Sequence, residues 1–340
     1  MIGFVRRLYA GIDPFLLMLI ATVAAASLLP AHGRGVAWFG YATDAAIVLL
    51  FFLHGAKLSR QAILAGATNW RLHLLVLASS FILFPALGLT LSRLSAGLVA
   101  PEILAGLLFL SLLPSTVQSS IAFTALARGN VPAAVCSASL SNLIGIVLTP
   151  VFVGLLMHVQ GTTGGISGEA IKGIMLQLLL PFVAGHLLRP LIGGLVDRNK
   201  RILMPVDRSS ILLVVYTAFS AAVVGGIWQR TSALDLLTIL VLSAILLALV
   251  MGANLLVARR LGLARPDEIV LLFCGSKKSL VSGVPMAGAL FPAAQVGPLI
   301  LPLMIFHQLQ LFVCAVIAAR YRGLGEDAPV ERAPKVDDAA

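Results

Sequence analysis

Charge is scarce in this chain. Asp, Glu, Lys and Arg make up 11% of the 340 residues, whereas 59% are hydrophobic. Soluble domains carry roughly 25% charged residues, so the balance excludes one. Cysteine is scarcer still: Cys136, Cys274 and Cys314 lie inside apolar segments with no CxxC pair, which excludes a disulfide framework and reads as core thiols. No HExxH, GxSxG or P-loop pattern occurs, and no nucleophile–base or metal-ligand set is visible, so the chain does not read as an enzyme. Short alternating apolar segments are missing too, which excludes a β-barrel. The formal charge of +10 does not indicate nucleic acid, because the basic residues gather at the ends of apolar runs.

Those apolar runs of about 20 residues recur along nearly the whole length, and the mean hydropathy is +1.01. They read as ten spans, at about Asp13–Leu29, Thr43–Leu58, Arg71–Leu94, Pro101–Ala127, Val131–Met157, Ala170–Ile192, Pro205–Ile227, Ala233–Val257, Pro266–Phe291 and Val296–Ala319. Arg6 and Arg7 before the first run resemble a signal-peptide flank, but the run fits an uncleaved first span. Tyr9, Trp38, Tyr41, Trp70, Trp228 and Tyr321 fall near span ends, as an aromatic belt does. Leaving out Lys277 and Lys278, the loops on the side of the termini hold eighteen Lys and Arg and the opposite loops four (Arg34, Arg93, Lys172 and Arg230). By the positive-inside rule both termini are cytoplasmic, in a bacterial-type inner membrane.

Two adjacent lysines, Lys277 and Lys278, sit mid-way along the ninth span, where a lysine costs roughly 2.5–3.5 kcal/mol to insert. Lys277 lies about 15 Å deep, near the midplane of a ~30 Å core. The small polar residues around them, with Pro285 beyond, read as a helix that stops and restarts in the bilayer. The fourth span has a similar centre, Pro114-Ser115-Thr116-Val117-Gln118-Ser119-Ser120, where Pro114 favours a break and Ser115 or Thr116 can cap a new half-helix. The fourth span opens Pro101-Glu102-Ile103-Leu104 and the ninth Pro266-Asp267-Glu268-Ile269; Val131-Pro132-Ala133-Ala134 and Phe291-Pro292-Ala293-Ala294 follow them. Five spans separate the copies, so they insert oppositely, as an inverted repeat.

The expected architecture is an all-α polytopic membrane protein of ten transmembrane helices in two inverted five-helix repeats. The repeats cover residues 1–160 and 170–320, with a Gly-rich joint at 161–169 and a disordered cytoplasmic tail at 321–340. Half-helix ends meeting at mid-depth offer N–H groups to anions and carbonyls to cations. His54, His158, His186 and His307 lie in or near spans and read as bundle hydrogen-bonding residues.

Ala127-Arg128-Gly129-Asn130 closing a Ser-rich broken helix, then Leu148-Thr149-Pro150, resembles the bile acid:sodium symporter superfamily. Phe273-Cys274-Gly275-Ser276-Lys277-Lys278-Ser279-Leu280 with Gly283-Val284-Pro285, and Phe52-Leu53-His54-Gly55, resemble its divergent SBF-like branch. The resemblance spans essentially the whole chain. It implies a panel domain against a core domain, with transport at the crossing of the fourth and ninth helices. It also implies departures: the Glu and Gln that bind sodium in coupled members fall at Phe273 and Lys277, and a third-helix Gln at Ser80. Fifth-helix hydroxyls fall at Ala134 and Ala138, with Ser139, Ser141 and Asn142 nearby.

Sodium prefers several oxygen ligands, and the interior offers almost no carboxylate beyond Asp44. A lysine ammonium in the cation position would satisfy the carbonyls that sodium otherwise would. The expected function is secondary transport of an organic anion by alternating access, with no cofactor and the coupling ion open between sodium, proton and none. The expected site is Ser115, Thr116, Gln118, Ser119, Ser120, Ser276, Lys277, Lys278 and Ser279, with Ser80, Ser139, Ser141 and Asn142 as weaker additions. A sodium symporter with a rebuilt site, a channel, and a membrane regulator of ion homeostasis that transports nothing are the competing readings. The substrate and the oligomeric state are left open.

Overall fold

A computed structural model describes residues 14–57, 69–157 and 168–323, which are helical with no strand among them. The main helices are α1 (Pro14–Leu28), α2 (Arg34–Lys57), α3 (Trp70–Leu94), α4 (Pro101–Leu112), α5 (Gln118–Leu126), α6 (Val131–Leu156), α7 (Gly168–Arg198), α8 (Lys200–Val224), α9 (Ala233–Arg260), α10 (Arg265–Gly275), α11 (Leu280–Leu290) and α12 (Ala293–Gly323), with a single helical turn at Ile227–Arg230 before α9. Among the described residues, eight spans are long and apolar enough to cross a bilayer, with α10 and α11 together forming one. The other two expected spans fall on shorter helices, the 15-residue α1 and the α4–α5 pair. The protein is a multi-pass membrane protein.

Several boundaries differ from the sequence expectation. Helix α2 begins at Arg34 rather than near Thr43, because Gly35 and Gly40 do not interrupt a helix whose Trp38 and Tyr41 face outward. Helix α8 begins at Lys200 and runs through Pro205. Helix α12 reaches Gly323, so the first residues assigned to the tail are helical; the rest of the tail, and residues 161–167 of the expected joint, lie outside the described residues.

Local chemistry sets the ends. Pro101, Pro132 and Pro266 stand in the first turns of α4, α6 and α10, where a missing N–H costs nothing. Ser232 and Asp235 form a reciprocal capping box on α9. The Ala-Arg-Gly-Asn stretch is a stop and a cap. Arg128 takes φ +60° after α5, and the Asn130 side chain accepts from Ala133 N at 3.1 Å to start α6.

The span formed by α10 and α11 is the centre of the bundle. Its apolar window is 94% buried, against 22–39% for the other seven. Leu28, Leu29, Trp38, Leu191 and Phe312 point outward, as lipid-facing residues do. Helices α2 and α7 cross at paired glycines: Gly55 lies on the Phe182 carbonyl, and Gly185 on the Phe52 carbonyl. Small residues at such crossings let backbones touch where no hydrophobic effect draws helices together.

One end of the bundle is tied by a bridging carboxylate. Asp267 Oδ1 accepts from Asn130 Nδ2 at 2.8 Å and Oδ2 from Asn69 Nδ2 at 3.1 Å, joining the starts of α3, α6 and α10. Asp267→Ala removes both bonds, each to a charged acceptor worth about 1.5–3 kcal/mol, so the detergent-solubilised protein should melt several degrees lower. Asp267→Asn should recover part of the loss. Differential scanning fluorimetry reads both.

Candidate functional site

The site is built on two interrupted helices. Chain direction is lost between Leu112 and Gln118 and again between Gly275 and Leu280. Each break leaves helix-end carbonyls without intrahelical partners, and in a bilayer those groups must be satisfied by protein. They are. The Leu112 carbonyl accepts from Thr149 Oγ1 (2.9 Å), Pro114 from Ser279 N (3.0 Å) and Ser115 from Asn142 Nδ2 (2.6 Å). On the other break, the Leu272 carbonyl accepts from Ser276 Oγ, Phe273 from Ser120 Oγ (3.4 Å), Cys274 from Ser115 Oγ (2.6 Å) and Gly275 from Ser79 Oγ (2.8 Å). Serines from one broken helix thus close the other.

The two lysines have opposite surroundings, although both are wholly buried. Lys278 Nζ donates to three backbone carbonyls: Ser80 and Ser111 at 2.8 Å and Leu113 at 2.6 Å. The Ser80 carbonyl belongs to a five-residue π turn, Ser79–Leu83, inside α3. A π turn displaces the regular i→i−4 ladder, which frees carbonyls for other donors. Gln310 of α12 fixes the Lys278 backbone, accepting from its N–H and donating to its C=O, both at 2.9 Å. Lys277 Nζ has no hydrogen-bond acceptor and lies 3.9 Å from the Phe123 ring centroid and 5.6 Å from that of Phe273. A cation on an aromatic face gains about 2 kcal/mol when desolvated, well short of what burial removes.

Beside the crossing is a cavity of about 430 Å³. One wall comes from the crossing and α6: Thr116, Gln118, Ser119, Ser139, Asn142, Ser279 and Ser282. The facing wall comes from α1, α2, α7 and α8: Phe15, Phe51, His54, Lys57, Phe182, Met204, Asp207, Arg208 and Ile211. Lys57 pairs with Asp207, whose Oδ1 is buried with no partner, and the Arg208 guanidinium lies 5.4 Å over the Phe15 ring. The polar wall is held from behind: Asn142 Oδ1 accepts from Ser282 Oγ at 2.7 Å, and Ser279 Oγ accepts from Ser282 N at 3.1 Å as the cap of α11.

The residues singled out in the sequence therefore divide. Thr116, Gln118, Ser119, Ser139, Asn142 and Ser279 face the cavity. Ser80, Ser115, Ser120, Ser141, Ser276, Lys277 and Lys278 are buried in the crossing, away from the cavity lining. Neither Ser115 nor Thr116 caps α5, since Val117 holds that position; Thr116 Oγ1 bonds Ser119 Oγ at 2.8 Å instead. The interior carboxylate is also different from the one expected. Asp44 is exposed on the outer face of α2, whereas Asp207 lines the cavity. Asp207 was hidden because it opens the expected seventh span, Pro205–Ile227, where nothing local marks an acid as facing a cavity. Its signal is a lone acid in the first turns of an amphipathic-looking span start.

Residues 13–323 match the SBF-like CPA transporter family. The chain belongs to this family. The match takes in every described helix, both breaks and the cavity. An uncharacterized protein of Pseudomonas aeruginosa, PA2026, is 57% identical over 316 residues, covering 93% of this chain and 95% of its own. A protein of Escherichia coli K12 named "Putative symporter YfeH" is 54% identical over 333 residues, covering 98% and 100%. Sodium/bile acid cotransporter 7 of Mus musculus is 27% identical over 276 residues, covering 80% of each. The matched family is a family of transporters.

Proposed function

We propose that this protein is a secondary transporter that carries an organic anion across the inner membrane by alternating access. The observation that carries the reading is the cavity: its polar wall is the crossing of two interrupted helices, and its opposite wall belongs to a separate group of helices. The starts of α5 and α11 lie at the polar wall, and helix starts favour negative charge. Lys57 and Arg208 add cationic chemistry at the basic end, and the phenyl rings suit an apolar body. In this reading α1, α2, α7 and α8 form the panel that rocks against the core.

Ten crossings in two inverted repeats belong to the same proposal. The halves of the broken helices have comparable lengths, 12 and 9 residues in α4 and α5, 11 and 11 in α10 and α11. The repeated Pro-acid sequence opens α4 and α10 alike. With both termini cytoplasmic, the Lys57–Asp207–Arg208 end of the cavity faces the cytoplasm, and this conformation is inward-facing. The joint of the halves lies near Gly161–Gly168, and the site is the cavity wall together with the buried crossing behind it.

The test is counterflow in proteoliposomes loaded with amphipathic carboxylates, cholate and a medium-chain alkanoate among them. Saturable exchange of labelled anion is expected. Ser119→Phe, which fills the cavity from its polar wall, should abolish that exchange while shifting the melting temperature by less than about 2 °C, since the half-buried Ser119 borders a cavity with room for added volume. Non-saturable leakage with every anion, equal in protein-free vesicles, would refute transport and return the regulator reading.

A further inference from the structure

We propose that the nest holding the Lys278 ammonium is a monovalent-cation site whose cation is the side chain itself, and that cutting the side chain away opens it to a small free cation. The inference draws its functional meaning from the transporter reading: a transporter whose cation is tethered has none to carry through this site.

The geometry is that of a coordination site. The ammonium has three protons, and three backbone carbonyls receive them, those of Ser80, Ser111 and Leu113, at 2.6–2.8 Å. The three come from two helices, and each is freed by an irregularity: the π turn in α3, and the end of α4. A fold that needed only to hide a lysine would not require two helices to give up carbonyls at one point. The Phe84 ring, 4.1 Å from Nζ, closes the remaining side. No carboxylate takes part, so the nest supplies dipoles but no charge. Such a nest suits a singly charged ion, since a divalent one would demand anionic ligands.

The carbonyls at the ends of α4 and α10 are already engaged. From Leu112 to Ser115 and from Leu272 to Gly275, each carbonyl accepts from a protein donor. Gln310 holds the Lys278 backbone on both sides, which fixes the point from which the side chain reaches the three carbonyls. It is a resident, not a visitor.

Thermal unfolding of purified, detergent-solubilised protein tests this without any knowledge of the transported anion. Wild type should melt at one temperature in sodium and potassium chloride at matched ionic strength. Lys278→Ala deletes the atoms of n-propylammonium, and its melting temperature should rise saturably by several degrees with that ion. Tetramethylammonium, which has no N–H and is too bulky, should give no rise. Sodium tested alone on the variant separates a nest that takes any small cation from one fitted to N–H donors; either response is saturable cation binding and supports the site. A folded Lys278→Ala that responds to neither propylammonium nor sodium overturns the proposal. So does a saturable, sodium-specific rise in wild type, a measurement that stands even where the variant does not fold. Failure of counterflow would leave these melting results untouched, so the two readings fail separately.

Discussion

Gly185→Ala should prevent this protein from being recovered as a folded, monodisperse species. Gly194→Ala, further along the same helix, should be silent. The two sites differ only in what a methyl group would meet. At Gly185 it would land on the Phe52 carbonyl oxygen of α2, and at Gly55 on the Phe182 carbonyl oxygen of α7. At Gly194 there is nothing within 4 Å. Backbone cannot rotate away as a side chain can, so relief requires the two helices to separate along their length. Overpacking a core costs about 1–3 kcal/mol and more when nothing can shift. Here the separation also dismantles the cavity wall, since Phe51 and His54 on α2 and Phe182 on α7 line it. Gly55→Ala should match Gly185→Ala, and the double variant should be little worse than either, because one separation relieves both clashes. Size-exclusion chromatography and melting temperature check this. A stable Gly185→Ala with wild-type melting would show that the α2–α7 crossing is looser than described.

The same crossing shows what the sequence could not convey. Phe52-Leu53-His54-Gly55 was legible as a family-like phrase, but the partner of Gly55 lies more than a hundred residues away on α7, and no local pattern announces it. The breaks were legible because their causes are local: Pro114 removes a donor, and Gly, Ser and Lys in mid-span are costly unless they serve a site. The cavity was half legible. Its polar wall was read from hydroxyls in the broken helices, whereas Lys57 and Arg208 read as orienting charges at span ends and Asp207 drew no reading. Hydropathy registers the average along a segment and is blind to which face of a helix a charge occupies. The lysine roles were the least accessible. Spacing aligned Lys277 with a cation-binding position, yet the carbonyl nest belongs to Lys278. Adjacent residues at a break point in different directions, and only the path of the unwound chain decides which one meets α3 and α4.

That difference in direction yields an opposed pair of outcomes. Lys278→Met should lower the melting temperature by roughly 10 °C or more, whereas Lys277→Met should leave it unchanged or raise it. Removing the Lys278 ammonium strands the carbonyls of Ser80, Ser111 and Leu113 in a water-free interior. A stranded buried acceptor costs about 1–3 kcal/mol. Three of them exceed what the relieved desolvation of one charge returns, because that charge was fully hydrogen-bonded. Lys277 has no acceptor to strand. Methionine, one heavy atom shorter, fills most of the same space against Phe123 and Phe273, and places a thioether where sulfur–aromatic contact is favourable by about 0.3–1.5 kcal/mol. The fold therefore gains from Lys277 only aromatic contacts that methionine can replace. Under the transport proposal, such a side chain would serve another conformation, one in which the panel has rocked and the amine meets an anion or water. On that account Lys277→Met should be stable and unable to exchange substrate, and Lys278→Met unstable whether or not it transports. Equal destabilisation by both would mean that Lys277 has a structural partner, and would remove the reason to assign it to the transport cycle.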